Sequence, residues 1–237
     1  MTDAHSTIPA GTILLIGASR GLGHAMAAEF LKHGWHVVGT VRGSGRTKLH
    51  DLAEAHAGRV EIEQLDICAP DQIATLRQRL GTRVFDMLFV NAGVTNNPAE
   101  TIAEVTTEEF TRVMVTNALS PMRVIESLEQ FVPATGLIGA MSSGQGSIAN
   151  NETGMREVYR GSKAALNMFM RSFAARHAAK NRAMVVMAPG WVRTDMGGPE
   201  GRLSIEESIP KLVNVLLAKQ GRPGLDYLDY LGQTVPW

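Results

Sequence analysis

From residue 12 onward the chain alternates between two hydrophobic patterns. Short apolar and β-branched runs recur at 12–16, 36–41, 60–65, 85–90, 136–141 and 183–187, and stretches with a three-to-four-residue apolar repeat lie at 22–33, 47–56, 71–80, 107–131, 157–179 and 204–219. Strand followed by helix, repeated, is the signature of successive βαβ units and predicts a mainly parallel sheet. Runs such as ILLI, FDMLFV and AMVVM are apolar throughout rather than alternating, as strands are when helices cover both faces of a sheet. Segment 225–237, with Tyr227, Tyr230 and Trp237, is expected to add a seventh strand and to pack over the end of the sheet or contribute to a subunit contact. The reading is one doubly wound α/β domain of Rossmann type over 11–237, preceded by a disordered tail over 1–10.

The two long central helices carry more apolar residues than one buried face needs: Phe110, Val113, Met114, Val115, Ala118 and Leu119 on the first, then Ala164, Leu166, Met168, Phe169, Met170 and Phe173 on the second. Either a crowded core or a homodimer or homotetramer interface accounts for the excess.

Composition narrows the partners. Lys plus Arg and Asp plus Glu each number 23, giving zero formal charge, and no basic stretch breaks the balance, which argues against nucleic acid or an anionic membrane. Cys68 is the single cysteine, so an intramolecular disulfide or multi-cysteine metal cluster is excluded and a reducing, cytoplasmic setting is expected. No apolar run approaches the roughly 18 residues of a membrane span. The seven histidines form no ligand spacing, so no metal is expected.

The candidate chemistry begins where the first strand runs into Gly17-Ala18-Ser19-Arg20-Gly21-Leu22-Gly23, a GxxxGxG turn opening the first helix. Glycines there permit a tight turn and a close approach of main-chain amides to a pyrophosphate, which the helix N-terminus also attracts. A ligand-free tight turn is the plainer alternative. At the end of the second strand, where an acidic residue would accept the ribose hydroxyls of NAD, the chain reads Gly39-Thr40-Val41-Arg42. Arg42, with Arg20 and more weakly Arg46, can instead pair with a 2′-phosphate, which favours NADP(H) over NAD(H) unless these are merely solvated loop charges.

Tyr159 and Lys163 lie four apart at the start of a helix and share a face. An ammonium beside a phenol lowers its pKa from about 10 and would fit it for acid–base work. A surface cation–helix pair is the alternative. Ser142 and Ser143 close the fifth strand, where a hydroxyl can bond a substrate oxygen or simply cap a turn.

Taken together these residues resemble the short-chain dehydrogenase/reductase family, nearly along the whole chain. Gly17, Gly21 and Gly23 match its dinucleotide loop, Asp66 its adenine-contacting acid, and Asn91-Ala92-Gly93 its NNAG turn. Asn117 matches its helix asparagine, Ser143 its serine, Tyr159 and Lys163 its YxxxK pair, and Pro189-Gly190 with Thr194 its PGxxxT motif. Within the family, SSGQGSI, YRGSKAALN, PGWVRTDMGG and the terminal VPW are most similar to the C-factor-like and sniffer-like carbonyl reductases. Departures are Ile16 for the usual threonine, Val90 for the first Asn of NNAG, and a longer Ser-to-Tyr segment holding Asn150-Asn151-Glu152.

The resemblance implies hydride transfer between a nicotinamide and a small carbonyl or alcohol, with Tyr159 exchanging the proton and Ser143 polarising the oxygen. It implies that Lys163 binds the nicotinamide ribose and depresses the Tyr159 pKa, that Asn117 holds a water for proton return, and that Thr194 anchors the carboxamide. Cofactor contacts then fall on Gly17, Ser19, Arg20, Gly21, Leu22, Gly23, Arg42, Asp66, Ile67, Asn91, Ala92, Gly93, Tyr159, Lys163, Pro189, Gly190, Val192 and Thr194. Residues 195–202 are expected to form a mobile lid, and Gly144, Gln145, Met155, Val158, Trp191 and Met196 an apolar pocket with few fixed charges, which favours a small hydrophobic or aromatic carbonyl over a phosphorylated sugar. The C-factor resemblance leaves a second class open: a dinucleotide-binding regulator with little or no turnover.

Overall fold

A computed structural model describes residues 10–237, so the tail expected over 1–10 lies, but for Ala10, outside the described residues. Seven strands form one sheet: β1 (Thr12–Ile16), β2 (His36–Val41), β3 (Val60–Gln64), β4 (Met87–Val90), β5 (Leu137–Met141), β6 (Ala183–Ala188) and β7 (Gly224–Asp229). Their order is β3-β2-β1-β4-β5-β6-β7, and all six pairings are parallel, β6 with β7 included. The direction of winding reverses between β1 and β4, which opens a crevice at their carboxyl ends.

The unbroken apolar strands are explained by two cores, one per face. Leu14, Ile16, Leu88, Val90, Ile138 and Val186 point into one, with helices α3 (Pro70–Leu80), α5 (Ser120–Leu128) and α6 (Glu157–Arg176). Their neighbours Ile13, Leu15, Met87, Phe89, Leu137 and Val185 point into the other, with α1 (Gly21–Lys32) and α7 (Ile205–Lys219). The period-2 alternation of a strand thus survives as a choice between two dry faces. The remaining helices are α2 (Lys48–Ala55) and α4 (Thr107–Met114). Thr106 caps α4 by accepting from Glu109 N–H at 3.2 Å, and Ser204 and Glu207 cap α7 reciprocally at 2.6 and 3.2 Å.

The structure departs from the expected elements at two places that bear on function. The helix expected over 107–131 is α4, a π-turn (Val115–Leu119), α5 and a 3₁₀ turn (Glu129–Phe131) in succession. Pro121 has no N–H to return to the carbonyl of Asn117 four residues back, and Ser120 N–H reaches five residues back to Val115 instead. The fourth strand starts at Met87 rather than 85, because Phe85 N–H bonds Phe131 and the Asp86 carboxylate accepts from Thr12 N–H at 2.8 Å. Phe110, Leu119, Met168 and Phe169 of the expected apolar excess stay 40–60% exposed, while Val113, Ala118, Leu166, Met170 and Phe173 are buried. No helix among the described residues is long and apolar enough to cross a membrane.

A polar cluster closes the amino-terminal edge of β6. The Glu129 carboxylate accepts from Lys180 Nζ at 2.6 Å and from Arg182 Nη1 at 2.9 Å, with His177 Nε2 at 3.8 Å. Burial pushes the Glu129 carboxyl up, but the two hydrogen-bonded cations outweigh it and hold it below its ordinary value. The stability that this gives is present above the unfolded-state carboxylate range and is lost as pH falls through the lowered native value. Arg182 is only 6% exposed, so Glu129→Gln leaves a buried guanidinium without its anion. We expect a loss of about 2 kcal/mol at pH 7, shrinking toward pH 3, in urea unfolding of the two proteins across that range.

Candidate active site

The crevice between β1 and β4 is floored by the glycine-rich loop. Gly17 has φ +88° and Gly21 φ +55°, conformations that a side chain would strain, and a Cβ on Gly23 would lie 2.0 Å from the Gly17 carbonyl oxygen. Thr40 holds the loop from β2, its Oγ1 and carbonyl accepting from Gly17 and Ala18 N–H at 2.9 Å each. Asn91 Nδ2 reaches across from the end of β4 to the Gly17 carbonyl at 2.8 Å, with Ala92 packed against Gly17.

Helix α1 starts at this loop without a side-chain cap and without an acid in its first turn, unlike α4 and α7. Its amino-terminal amides are left for an outside acceptor, and a Cβ on Gly21 would meet nothing within 4 Å, so the space above the turn is open. The residues present therefore fit a pyrophosphate. Ser19, Gly21 and Leu22 are partly buried, and Leu22 packs on the α1–α7 core.

The arginines divide. Arg46 is bonded to Asp51 at 2.6 Å and to Glu54 at 2.7 Å, which takes the weakest of the three phosphate candidates out of reach. Arg42 is exposed at the end of β2, and Arg20 makes only an exposed 3.2 Å pair with Asp195, the kind worth little in water. Past β3, Asp66 is partly buried and turns its carboxylate onto Cys68 N–H at 2.9 Å, while Ile67 is buried in the core.

Asn117, Ser143, Tyr159 and Lys163 converge at the carboxyl ends of β4 and β5. Asn117 is fully buried, its Oδ1 accepting from Val94 N–H and its Nδ2 donating to Val94 carbonyl, both at 2.8 Å, and to Ser162 Oγ at 3.0 Å. A Cβ on Gly93 would lie 3.3 Å from Asn117 Oδ1 and 3.4 Å from Lys163 Nζ, so the three residues abut. Lys163 Nζ donates to the Met141 carbonyl at 2.9 Å and stands 5.9 Å from the centre of the Tyr159 ring. The Ser143 hydroxyl, which accepts from Gln145 N–H at 3.2 Å, stands by Tyr159 and acts to lower the phenol's pKa. Ser142 is buried with its hydroxyl given to Asn167 Oδ1 at 2.6 Å, which turns it away from Tyr159 and separates the two serines.

The electrostatics differ from the expected pattern. Burial pushes the Tyr159 phenol above its ordinary value, with the Ser143 hydroxyl and the Arg156 cation opposing it only in part. The expected lowering by Lys163 is absent: burial pulls that ammonium itself down to about 8, and it is engaged by a main-chain carbonyl. The cation acting on the phenol is Arg156, which the sequence reading did not single out.

Two further features went unread. Tyr227 of β7, 1% exposed, donates from beneath to the Ser143 carbonyl and packs on Trp237, whose ring centre is 5.3 Å away. Asn167 Nδ2 reaches the Gly146 carbonyl at 3.3 Å, so the turn after β5 is braced from α6 and β7 together. Only the aromatic content of 225–237 hinted at this. The second feature is the run Gly154, Met155 and Arg156, at φ +67°, +59° and +59°. Left-handed backbone costs a non-glycine residue about 1–2 kcal/mol, and no periodicity announces it. Nearby, Gln145 Oε1, Arg156 Nε and Glu157 Oε2 are enclosed without hydrogen-bond partners. The pocket expected to hold few fixed charges thus has a guanidinium beside its tyrosine.

On the far side, Pro189 accepts from Ser208 Oγ at 2.6 Å, Gly190 takes φ +83°, and Val192 is buried. Thr194 Oγ1 accepts from Gly197 N–H at 3.0 Å and Trp191 Nε1 donates to the Gly197 carbonyl at 2.7 Å. The segment expected as a lid is a turn tethered at these points, with Trp191 and Met196 exposed. The longer Ser-to-Tyr segment is exposed at Asn150, Asn151 and Glu152 and is tied to the carboxyl terminus by Ala149 N–H to the Trp237 carbonyl at 3.3 Å.

The chain is similar to known proteins along most of its length. The sequence profile of the family described as short chain dehydrogenase matches residues 11–202. A short-chain dehydrogenase/reductase from Burkholderia multivorans, solved with bound NADP, is 68% identical over 97% of this chain and all of its own, with a TM-score of 0.95. A carbonyl reductase from Pseudomonas aeruginosa PAO1 in complex with NADP is 33% identical over 97% of this chain and all of its own, with a TM-score of 0.89. The C-signal protein of Myxococcus xanthus is 34% identical over 154 residues, 64% of this chain and 92% of that protein.

Two measurements test the bracing. Tyr227→Phe removes one donor from the Ser143 carbonyl while Gly146 N–H still bonds it at 2.8 Å, so we expect a loss of about 1 kcal/mol in urea unfolding. For Lys163, the native state binds fewer protons than the unfolded chain between about pH 8 and an ordinary lysine's 10.5, so stability rises with pH there. Wild type is expected to gain about 3 kcal/mol on Lys163→Met across that window, followed by paired denaturant titrations.

Proposed function

This chain belongs to the short-chain dehydrogenase family, and we propose that within it the protein is an NADP(H)-dependent carbonyl reductase acting on a small carbonyl or alcohol. The observation that carries the reading is the convergence of Ser143, Tyr159, Lys163 and Asn117 beside a capless, glycine-lined α1. The bound nicotinamide supplies or accepts the hydride. The Gly17–Gly23 loop and the first amides of α1 would hold its pyrophosphate, with Ser19 beside them. Arg42 and Arg20 would take the 2′-phosphate, Arg20 exchanging its weak Asp195 pair for a doubly charged partner, as befits the NADP-bound relatives. Asp66 and Ile67 would flank the adenine, and Asn91, Ala92 and Gly93 the riboses. Pro189, Gly190, Val192 and Thr194 would border the carboxamide.

In the reductive direction Tyr159 Oη gives its proton to the carbonyl oxygen. A phenol held above its ordinary pKa keeps that proton at neutral pH, so the free site is set for donation. The Ser143 hydroxyl holds the same oxygen as charge develops on it. Lys163 would leave the Met141 carbonyl for the ribose hydroxyls, and its charge would then stand closer to the phenolate left behind. Since the Asn117 side chain is committed to Val94, a water for proton return would rest on its main-chain carbonyl, which Pro121 leaves without a donor four residues on. The exposed apolar side chains Phe110, Leu119, Met168 and Phe169 are the surface for the expected self-association.

The similarity to the C-signal protein favours a second reading, a dinucleotide-binding regulator. One titration separates them: NADPH and NADH are added in turn, following nicotinamide fluorescence, and aldehydes, ketones and quinones are then offered to the tighter complex. A reductase binds NADPH more tightly and oxidises it with a panel member, and Tyr159→Phe keeps the binding but loses on the order of 10²–10⁴ in turnover. Undiminished turnover by that variant sinks the mechanism. Tight binding without turnover across the panel supports the regulator.

A further inference from the structure

We propose that the substrate of this site carries a carboxylate as well as its reacting carbonyl, and that Arg156 receives it. The inference rests on the carbonyl reductase reading and narrows its substrate class. Arg156 stands three residues before Tyr159, with its guanidinium carbon 5.9 Å from the centre of the phenol ring. It is held there by three successive left-handed residues, Gly154, Met155 and Arg156 itself, two of which have side chains that oppose the conformation.

What marks the residue is its missing partner. Its Nε is shut off from solvent with no hydrogen bond. Arg182 also has an unpartnered Nε, but its Nη1 holds Glu129 at 2.9 Å, and Arg59 has the Leu31 carbonyl, whereas among the described residues Arg156 has neither a hydrogen bond nor an ion pair from its side chain. The carboxylate next in sequence, Glu157, does not serve Arg156, for its own Oε2 is enclosed and unpartnered. Arg156 is partly buried, and a guanidinium N–H withdrawn from water without an acceptor is unfavourable, which an incoming anion relieves.

The chemistry of the anion follows from the charges available. Lys163 is held by the Met141 carbonyl here and would be held by the ribose with cofactor bound, so a single planar fork remains, which matches a singly charged carboxylate better than a phosphate dianion. Met155, exposed beside it, offers the rest of the substrate an apolar surface. The arrangement also bears on the proton. Arg156 opposes the upward push on the Tyr159 phenol, and a bound carboxylate would cancel that opposition, leaving the phenol still more firmly protonated for donation.

The test uses matched substrates on the NADPH-loaded protein: 4-carboxybenzaldehyde against its methyl ester, and levulinate against methyl levulinate. We expect the carboxylate of each pair to be preferred at least tenfold in kcat/KM, mostly through KM. Arg156→Met should remove the preference and Arg156→Lys retain part of it. Equal use of the two, preference for the ester, or a preference that survives in Arg156→Met overturns the proposal. A separate arm measures benzoate binding to the NADPH complex by calorimetry, with benzamide as control. Benzoate should bind at least tenfold more tightly to wild type than to either Arg156→Met or benzamide to wild type, and equal binding overturns the assignment. If no aldehyde or ketone is reduced, the reductase reading fails while the benzoate arm still decides Arg156.

Discussion

A hydrogen bond from a buried ammonium to the last carbonyl of a strand holds this site together: Lys163 Nζ to Met141, 2.9 Å. It fixes α6 to the carboxyl edge of β5, and Tyr159 and Ser143 are referred to those two elements, while Asn117 comes from the π-turn and bonds Ser162 of α6. Tyr159 is one helical turn from Lys163, Ser143 is two residues beyond Met141, and Gly93 abuts the same Nζ from β4. The bond has a cost, visible in the ammonium's fall to about 8, and the surroundings bear it because the packing of α6 on the sheet is extensive. Asn167, Ser142 and Tyr227 then brace the turn that β5 enters, so that the serine hydroxyl sits on a supported backbone.

That arrangement sets the proton chemistry before any ligand arrives. A tyrosine withdrawn from water keeps its proton, and a lysine in the same surroundings gives its proton up more readily, so burial drives the two pKa values apart, with the lysine's now the lower. Expecting Lys163 to dominate Tyr159 meant treating the pair as isolated charges four residues apart. In the fold both are desolvated, and the influence on the phenol that follows burial and Ser143 is the Arg156 guanidinium.

The dinucleotide half was legible because backbone requirements leave a mark on residue type. A Cβ on Gly23 would strike the Gly17 carbonyl at 2.0 Å, so glycine is demanded and its spacing can be read. The strands were legible for a similar reason: two dry faces demand continuous apolar runs. Their ends were less so, since Asp86 takes part in the ladder through its side chain and delays β4 to Met87. The break in the helix over 107–131 had a written cause in Pro121, yet the apolar repeat runs through the π-turn undisturbed.

The substrate half was opaque for the opposite reason. Met155 and Arg156 adopt backbone that glycine would take more cheaply, so the sequence at the decisive turn carries residues chosen against local preference. Local rules fail where a tertiary demand overrides them, and such failures gather where function sits. Tyr227 presents the same difficulty at longer range: its partner at Ser143 is 84 residues away and is a main-chain carbonyl, which no residue identity reveals. Motif glycines and the Tyr–Lys spacing therefore point to where a cofactor is gripped. The substrate class that we propose rests on an arginine without an ion-pair partner among the described residues, a feature that only the folded chain makes visible.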